Sequence, residues 1–323
     1  MRHTLKTFQE RHCSELERLN DRIATQLESS NPLMAKVVAA QLRTKGKQLR
    51  PLMLMVCASM FGPVTDKVVA AAASVELLHN ASLIHDDIVD ASPTRRGFPT
   101  INAVWDNHIA VLVGDFFTSS AMQEAISTAD IRIVEALCSL GRKLSTGEID
   151  QIFNAREHTL DIDTYFAIID YKTASLFVSS ARMGCLAAGV DDNRLDALER
   201  YARAFGRCFQ IRDDIFDYYD AEVGKPTGND LREGKISLPL LYALEVDCPE
   251  RPRMLELVRK GTLSEAEIAE LQHYARSHGG VDRARETMHA LREEGIRALA
   301  PLPDGSQKEE LASLLDFVID RTY

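Results

Sequence analysis

The chain is 323 residues long, 45% hydrophobic and 27% charged, which is enough apolar material to bury a sizeable core in an ordinary globular protein. Its formal net charge of −10 excludes nucleic acid as the main partner, because a phosphate backbone demands a surplus of Lys and Arg. Six scattered cysteines with no CxxC pair, a polar start without a signal-like apolar run, and no stretch with the length and apolarity of a membrane span together predict a soluble, cytoplasmic protein with free, mostly buried thiols.

In chain order the pattern is helical nearly throughout. Apolar residues recur three and four apart from Leu5 and Phe8 through Leu16, Leu19, Ile23 and Leu27. No alternating β-branched runs joined by Asn-Gly or Asp-Gly are present. Breaks are expected at Asn31-Pro32, near Arg50-Pro51, at Gly62-Pro63 and across Ser92 to Pro99. Others are expected around Gly189, from Gly224 to Gly228, near Pro249 and from Pro301 to Pro303. Gly46-Lys47-Gln48-Leu49-Arg50-Pro51 sets Lys47 and Arg50 on one face of a helical turn. The helix predicted over 64–90 carries His79 and then Asp86-Asp87-Ile88-Val89-Asp90; two turns separate His79 from Asp86, so they share a face. A lone helical His is more often a structural hydrogen-bonder, and His85, beside Asp86, fits either role. Thr94-Arg95-Arg96-Gly97 follows in a Pro/Gly loop, and Lys172-Thr173 lies in a further apolar helix. The helix predicted over 195–220 ends in Asp213-Asp214-Ile215-Phe216-Asp217, with Gln210 three residues ahead of the cluster. Gly224-Lys225-Pro226 and Glu233-Gly234-Lys235 then fall in a Gly-rich loop, and amphipathic helices over 265–278 and 281–299 read as an outer layer. No repeat or linker divides the chain, so one all-α domain over 1–323 is expected.

One acidic pentapeptide is a weak signal, since most such clusters are solvated helix faces; two copies in matched apolar frames carry far more weight. Within each, positions four apart share a helix face, pairing Asp86 with Asp90 and Asp213 with Asp217. Carboxylates so close repel one another, and hard oxygen ligands without a Cys/His set favour Mg²⁺ over Zn²⁺. A few carboxylates leave coordination positions for water and phosphate oxygens, and the neighbouring Arg and Lys residues can grip the same anion. The expected chemistry is metal-assisted diphosphate handling.

These residues resemble the trans-isoprenyl diphosphate synthases, especially the long-chain polyprenyl members. The likeness runs from about Gly46 to Pro239 through Gly46–Pro51, Glu76–Arg96, Gly147-Glu148 with Gln151, Lys172–Phe177, Phe209–Tyr218 and Gly224–Pro239, with a family-like ending at Phe317–Tyr323. The resemblance implies an all-helical barrel around a deep apolar cavity, usually a homodimer, using several Mg²⁺ ions with Mn²⁺ as an alternative. It implies that Asp86, Asp87 and Asp90 hold Mg²⁺ on the allylic diphosphate, joined from a facing helix by Asp213, Asp214 and Asp217. Gly46, Lys47, Arg50, His79 and Arg96 match the isopentenyl diphosphate site. Arg95, Lys172, Thr173, Gln210, Lys225 and Lys235 match the allylic site, with Lys172 also among the catalytic set. Gln48 departs from the family, where many members carry Arg. The loop from Gly224 to Gly234 is the expected lid, and peripheral membrane contact is expected to accompany product release.

Product length is expected to follow from Ala81 and Ser82, one turn below Asp86, where bulky aromatics in short-chain members floor the tunnel. Both are small here, so six to eight units or more are predicted, with Phe116, Phe117, Met122 and Leu137 as candidate floors. The rivals are a short-chain farnesyl or geranylgeranyl synthase, a terpene cyclase, a phosphohydrolase and a non-catalytic regulatory partner. A cyclase usually carries a different second motif, and a regulatory partner would be expected to lose aspartates that are all present here.

Overall fold

The structure is a computed structural model, and it describes residues 5–43, 46–219 and 227–320. Helices dominate. In order they are α1 (Leu5–Arg11), α2 (Cys13–Gln26), α3 (Pro32–Leu42), α4 (Leu49–Ser59) and α5 (Asp66–Val89), then a two-residue hairpin of β1 (Thr94–Arg95) and β2 (Phe98–Pro99). Next come α6 (Ile101–Val104), α7 (Asn107–Ser127), α8 (Ile131–Glu157), α9 (Ile162–Ile169), a π-helical turn (Asp170–Ala174), α10 (Ser175–Ala187) and α11 (Asn193–Asp217). The chain continues through α12 (Asn229–Arg232), α13 (Leu238–Leu244), α14 (Arg251–Val258), α15 (Glu265–Ser277), α16 (Gly280–Ala298) and α17 (Ser306–Asp320).

These segments form two compact units, one of Met1–Gly141, Leu176–Glu199 and Pro301–Leu311, the other of Arg142–Ser175, Arg200–Ala300 and Ala312–Tyr323. In the first, α5 is the central helix and packs against α2, α4 and α7. Its residues from Val68 to Leu78 are all buried, including an unbroken run of alanines that lets neighbours approach closely from every side. By length and composition α5 is also long enough and apolar enough to cross a membrane, contrary to the expectation that no stretch is. Yet 78% of that apolar window is buried inside the protein, as in the core helix of a globular fold. In the second unit α13 is buried along its whole length and packs against α15 and α16.

Local chemistry explains the boundaries. Asn31 caps α3 by accepting from the Leu33 and Met34 amides, with Pro32 preset for the first helical position. Asp106 caps α7 through the Ile109 amide at 2.8 Å, and Ser264 and Glu267 form a reciprocal capping box on α15. The breaks after α7 and α8 carry no Gly or Pro and escape the sequence pattern; Ala129 and His158 turn the chain there at φ of 54° and 51°. The hairpin is also unanticipated, because Arg96-Gly97 rather than Asn-Gly occupies its turn, at φ of 55° and 81°. All six cysteines are free: Cys57, Cys185 and Cys208 are buried, Cys248 is half-buried, and Cys13 and Cys138 are exposed.

Candidate functional site

Both aspartate clusters stand in the last turn of a long helix. The α5 helix ends at Val89 with Asp90 as its C-cap, and α11 ends at Asp217. Unpaired carbonyls give a helix C-terminus partial negative charge, so each cluster adds carboxylates where they are least favoured. Such an arrangement calls for cations, and a set of hard oxygens fits Mg²⁺.

In the first unit the three aspartates differ. Asp86 and Asp90 are half-buried, whereas Asp87 is buried and its Oδ1 accepts from Arg95 Nε at 2.7 Å. Burial raises the Asp87 carboxyl above its ordinary value, and the Arg95 guanidinium opposes that shift. The hairpin turn places Arg96 next to the backbone of Gly46: a Cβ at Gly46 would lie 2.7 Å from Nη1 and Nη2 of Arg96. Arg96 holds the left-handed conformation, a cost of about 1–3 kcal/mol that clusters at functional sites. Behind it, buried Glu76 feels both Arg50 and Arg96, which oppose the rise that burial imposes on its carboxyl. His79 is buried, and its Nδ1 has no hydrogen-bond partner among the described residues. Burial, with Arg50, Arg96 and Arg95 nearby, drives its imidazole well below the ordinary range, so it is neutral. Arg50 lies over the Phe177 ring at 5.0 Å, while Lys47 is exposed. Gln48, in a left-handed N-cap conformation, donates to Asn20 Oδ1 at 3.0 Å.

The second unit holds a cavity of about 180 Å³ that brings together Lys172, Thr173, Gln210, Asp214, Asp230 and Lys235. A hydrogen-bonded relay organises it. The Thr173 hydroxyl donates to Gln210 Oε1 at 2.7 Å, which turns the Gln210 amide nitrogen toward Asp214 Oδ1 at 2.8 Å. The other Asp214 oxygen accepts from the Tyr165 hydroxyl at 2.5 Å. Asp214 is thus buried with both oxygens engaged, while Asp213 is exposed. Burial pushes the Asp214 carboxyl up to about 7; the Tyr165 and Gln210 hydrogen bonds oppose this, and the Asp213 and Asp217 charges reinforce it. Asp217 accepts backbone N–H groups from Asn229 at 3.1 Å and Asp230 at 3.2 Å, which pins α12 beneath α11. Lys172 Nζ lies 2.5 Å from Glu148 Oε2, and Lys235 pairs with Glu233. The π-helical turn presents Lys172 and Thr173, and such irregular turns are frequent at functional sites.

A parallel emerges between the two units. In each cluster the second aspartate is buried and accepts from side chains, while the first and last are less buried, Asp217 accepting from backbone amides. The predicted residues Lys172, Thr173, Gln210 and Lys235 do meet around Asp214, and Lys225 lies outside the described residues. Tyr165, Asp230 and Glu148 escaped the functional reading, although Glu148 and Asp230 sit within segments already noted for their family likeness. Tyr165 carries no local signal, because its partner Asp214 is 49 residues away. Ala81 is buried, and Ser82 donates to the His79 carbonyl at 2.9 Å. Among the candidate floors Phe117 and Leu137 are buried, Phe116 is half-buried and Met122 is 45% exposed.

A polyprenyl synthetase family model matches residues 31–275. The chain belongs to that family. It is 32% identical to the octaprenyl diphosphate synthase of Haemophilus influenzae over 96% of this chain and 94% of that one. It is 31% identical to the octaprenyl diphosphate synthase of Escherichia coli, covering 98% and 99% respectively. Among solved structures, a decaprenyl diphosphate synthase from Rhodobacter capsulatus superposes with a TM-score of 0.94 at 31% identity, covering 99% of this chain and all of that one. A polyprenyl synthase from Caulobacter crescentus, complexed with calcium and isoprenyl diphosphate, gives 0.92 at 30% identity, covering 100% and 99%. The all-α polyprenyl synthetase fold is therefore established for this chain, and its named relatives are prenyltransferases.

Proposed function

We propose that the chain is a long-chain polyprenyl diphosphate synthase, joining isopentenyl diphosphate head-to-tail onto an allylic diphosphate in the presence of Mg²⁺. The observation that carries this is the Asp214 cavity, where Lys172, Thr173, Gln210 and Lys235 converge as diphosphate-binding chemistry requires. Asp86 with Asp90 and Asp213 with Asp217 are the natural metal-holding pairs. Asp87 accepts from Arg95 through one oxygen, and Asp214 engages Gln210 and Tyr165 with its two, so each is a bracing carboxylate of its own cluster. When bound, Mg²⁺ would supply positive charge to neutralise the leaving diphosphate.

The side chains then have distinct tasks. Lys172 and Lys235 stabilise negative charge on the departing diphosphate, so that the allylic C–O bond ionises to a cation. Arg50, Arg96 and Lys47 hold isopentenyl diphosphate with its double bond in reach of that cation. As the new C–C bond forms, a proton leaves the adjacent carbon for an oxygen of the released diphosphate. Neutral, buried His79 adds a polar contact without a further charge. Water must be kept from the site, because it would quench the cation.

The long product is supported by the octaprenyl and decaprenyl relatives and by the small side chains of Ala81 and Ser82. A homodimer is supported by apolar side chains left exposed on α7 and at the start of α8, including Leu112 at 59%, Ile126 at 64% and Ile131 at 69%. Free thiols are consistent with a reducing, cytoplasmic setting. The test incubates the protein with Mg²⁺, farnesyl diphosphate and labelled isopentenyl diphosphate, then sizes the extracted lipid. Elongation to about six units or more is expected. Absence of elongation overturns the synthase assignment, and products stopping at the farnesyl or geranylgeranyl length overturn the long-chain one.

A further inference from the structure

Cys248, Glu250 and His278, none of them part of either aspartate cluster, bring a sulfur, a carboxylate oxygen and an imidazole nitrogen within 4.8 Å of one another. Cys248 and Glu250 flank Pro249 in the turn between α13 and α14, where Glu250 is the N-cap of α14, and His278 is the C-cap of α15. Packing of α15 against α13 and α14 makes the three meet.

The imidazole of His278 is held on its Nδ1 side. Its Nδ1 lies 3.2 Å from the Tyr274 carbonyl, and its ring stacks on the Tyr274 ring with centroids 4.2 Å apart. In the tautomer with its proton on Nδ1, which the Tyr274 carbonyl and the Ser277 hydroxyl oxygen at 3.1 Å can both accept, the lone pair is on Nε2, 3.9 Å from a Glu250 carboxylate oxygen. A backbone carbonyl on the far nitrogen is the usual support of a metal-binding histidine. The Tyr274 hydroxyl stands 3.4 Å from Cys248 Sγ and 3.2 Å from the Ala243 carbonyl, so one tyrosine steadies both sulfur and imidazole. The negative end of α15 adds further attraction for a cation.

Thiolate, imidazole and carboxylate form a softer set than the oxygen-only clusters of the catalytic chemistry. It suits Zn²⁺ rather than Mg²⁺, with three protein donors and a fourth position left for water. We infer that Cys248, Glu250 and His278 form a binding site for a Zn²⁺-class divalent cation, which ties the α13–α14 turn to the end of α15. Nothing in prenyl transfer requires this ion.

Cobalt(II) tests the site on the full chain with Mg²⁺ in excess. We expect a sulfur-to-cobalt charge-transfer band and the intense visible bands of four-coordinate cobalt, both lost on adding Zn²⁺. Cobalt at the aspartate clusters would give neither, because oxygen-only six-coordinate sites absorb weakly and contain no sulfur. Cys248→Ser abolishes the charge-transfer band, and His278→Gln, which removes a proposed ligand, causes loss of the intense four-coordinate visible bands. Wild-type protein with no charge-transfer band, or a band that survives in Cys248→Ser, overturns the site. Independently of any variant, Zn²⁺ slows alkylation of Cys248 in the wild-type chain, read by peptide mass; an unchanged rate also overturns it.

Discussion

At the scale of single residues, Asp214 links stability to pH and, under the proposed function, to metal. Its folded-state carboxyl sits at about 7, well above the ordinary aspartate value near 3.8 in the unfolded chain. The folded protein therefore holds a proton that the unfolded chain releases more readily. That contribution to stability is fully present below the unfolded value and is lost as pH rises toward the folded one. Mg²⁺ requires the ionised carboxylates, so it competes with the proton. The melting temperature gained on adding Mg²⁺ is expected to be larger at about pH 8 than at about pH 5.5. Thermal unfolding with and without the ion measures this, and an equal gain at both values would contradict the coupling. Tyr165→Phe removes the shortest hydrogen bond to the same carboxylate and leaves a buried oxygen unpaired. A loss of about 1–3 kcal/mol in denaturant unfolding is expected, along with weaker binding of the allylic substrate.

Secondary-structure elements set how those residues are presented. Gly147 shows this for the π-helical turn, because a Cβ there would lie 2.8 Å from Tyr171 Cβ and 3.0 Å from the Lys172 backbone nitrogen. In an unencumbered helix, Gly→Ala stabilises by roughly 0.5–1 kcal/mol through reduced backbone entropy. Here the contact with the turn reverses the sign. Gly147→Ala is expected to destabilise by about 1–3 kcal/mol and to raise KM for the allylic diphosphate by shifting Lys172. A melting temperature at or above that of the parent would show that the turn yields without strain. The ends of α5 and α11 make the complementary point. Their helical periods and their aspartates are visible in sequence, while the exposure of each aspartate depends on which helix face meets the core.

For the whole molecule, the proposed function ties product length to the surroundings of Ala81. Ala81 is buried on the central helix of its unit, and a turn of helix rises about 5.4 Å, roughly one extended isoprene unit. Ala81→Phe is expected to shorten the product to about the farnesyl or geranylgeranyl length while substrate ionisation continues. Chromatography of the extracted lipids checks this, and an unchanged length would place the tunnel elsewhere.

The all-α class, the long helices ending in aspartates and the clustering of hard oxygens that a divalent cation would suit were determined by the sequence itself. They depend on local periodicity and on residues within a turn of each other, which any helix brings to one face. Only the tertiary structure decided that Asp87 turns to Arg95 and Asp214 to Tyr165 and Gln210, that Lys172 pairs with Glu148, and that a π-helical turn presents it. Those outcomes depend on contacts across 37 residues for Thr173 with Gln210 and 49 for Tyr165 with Asp214, separations at which spacing carries no signal. Burial then does what composition cannot, giving identical aspartates different pKa values and different partners according to how much water each has lost.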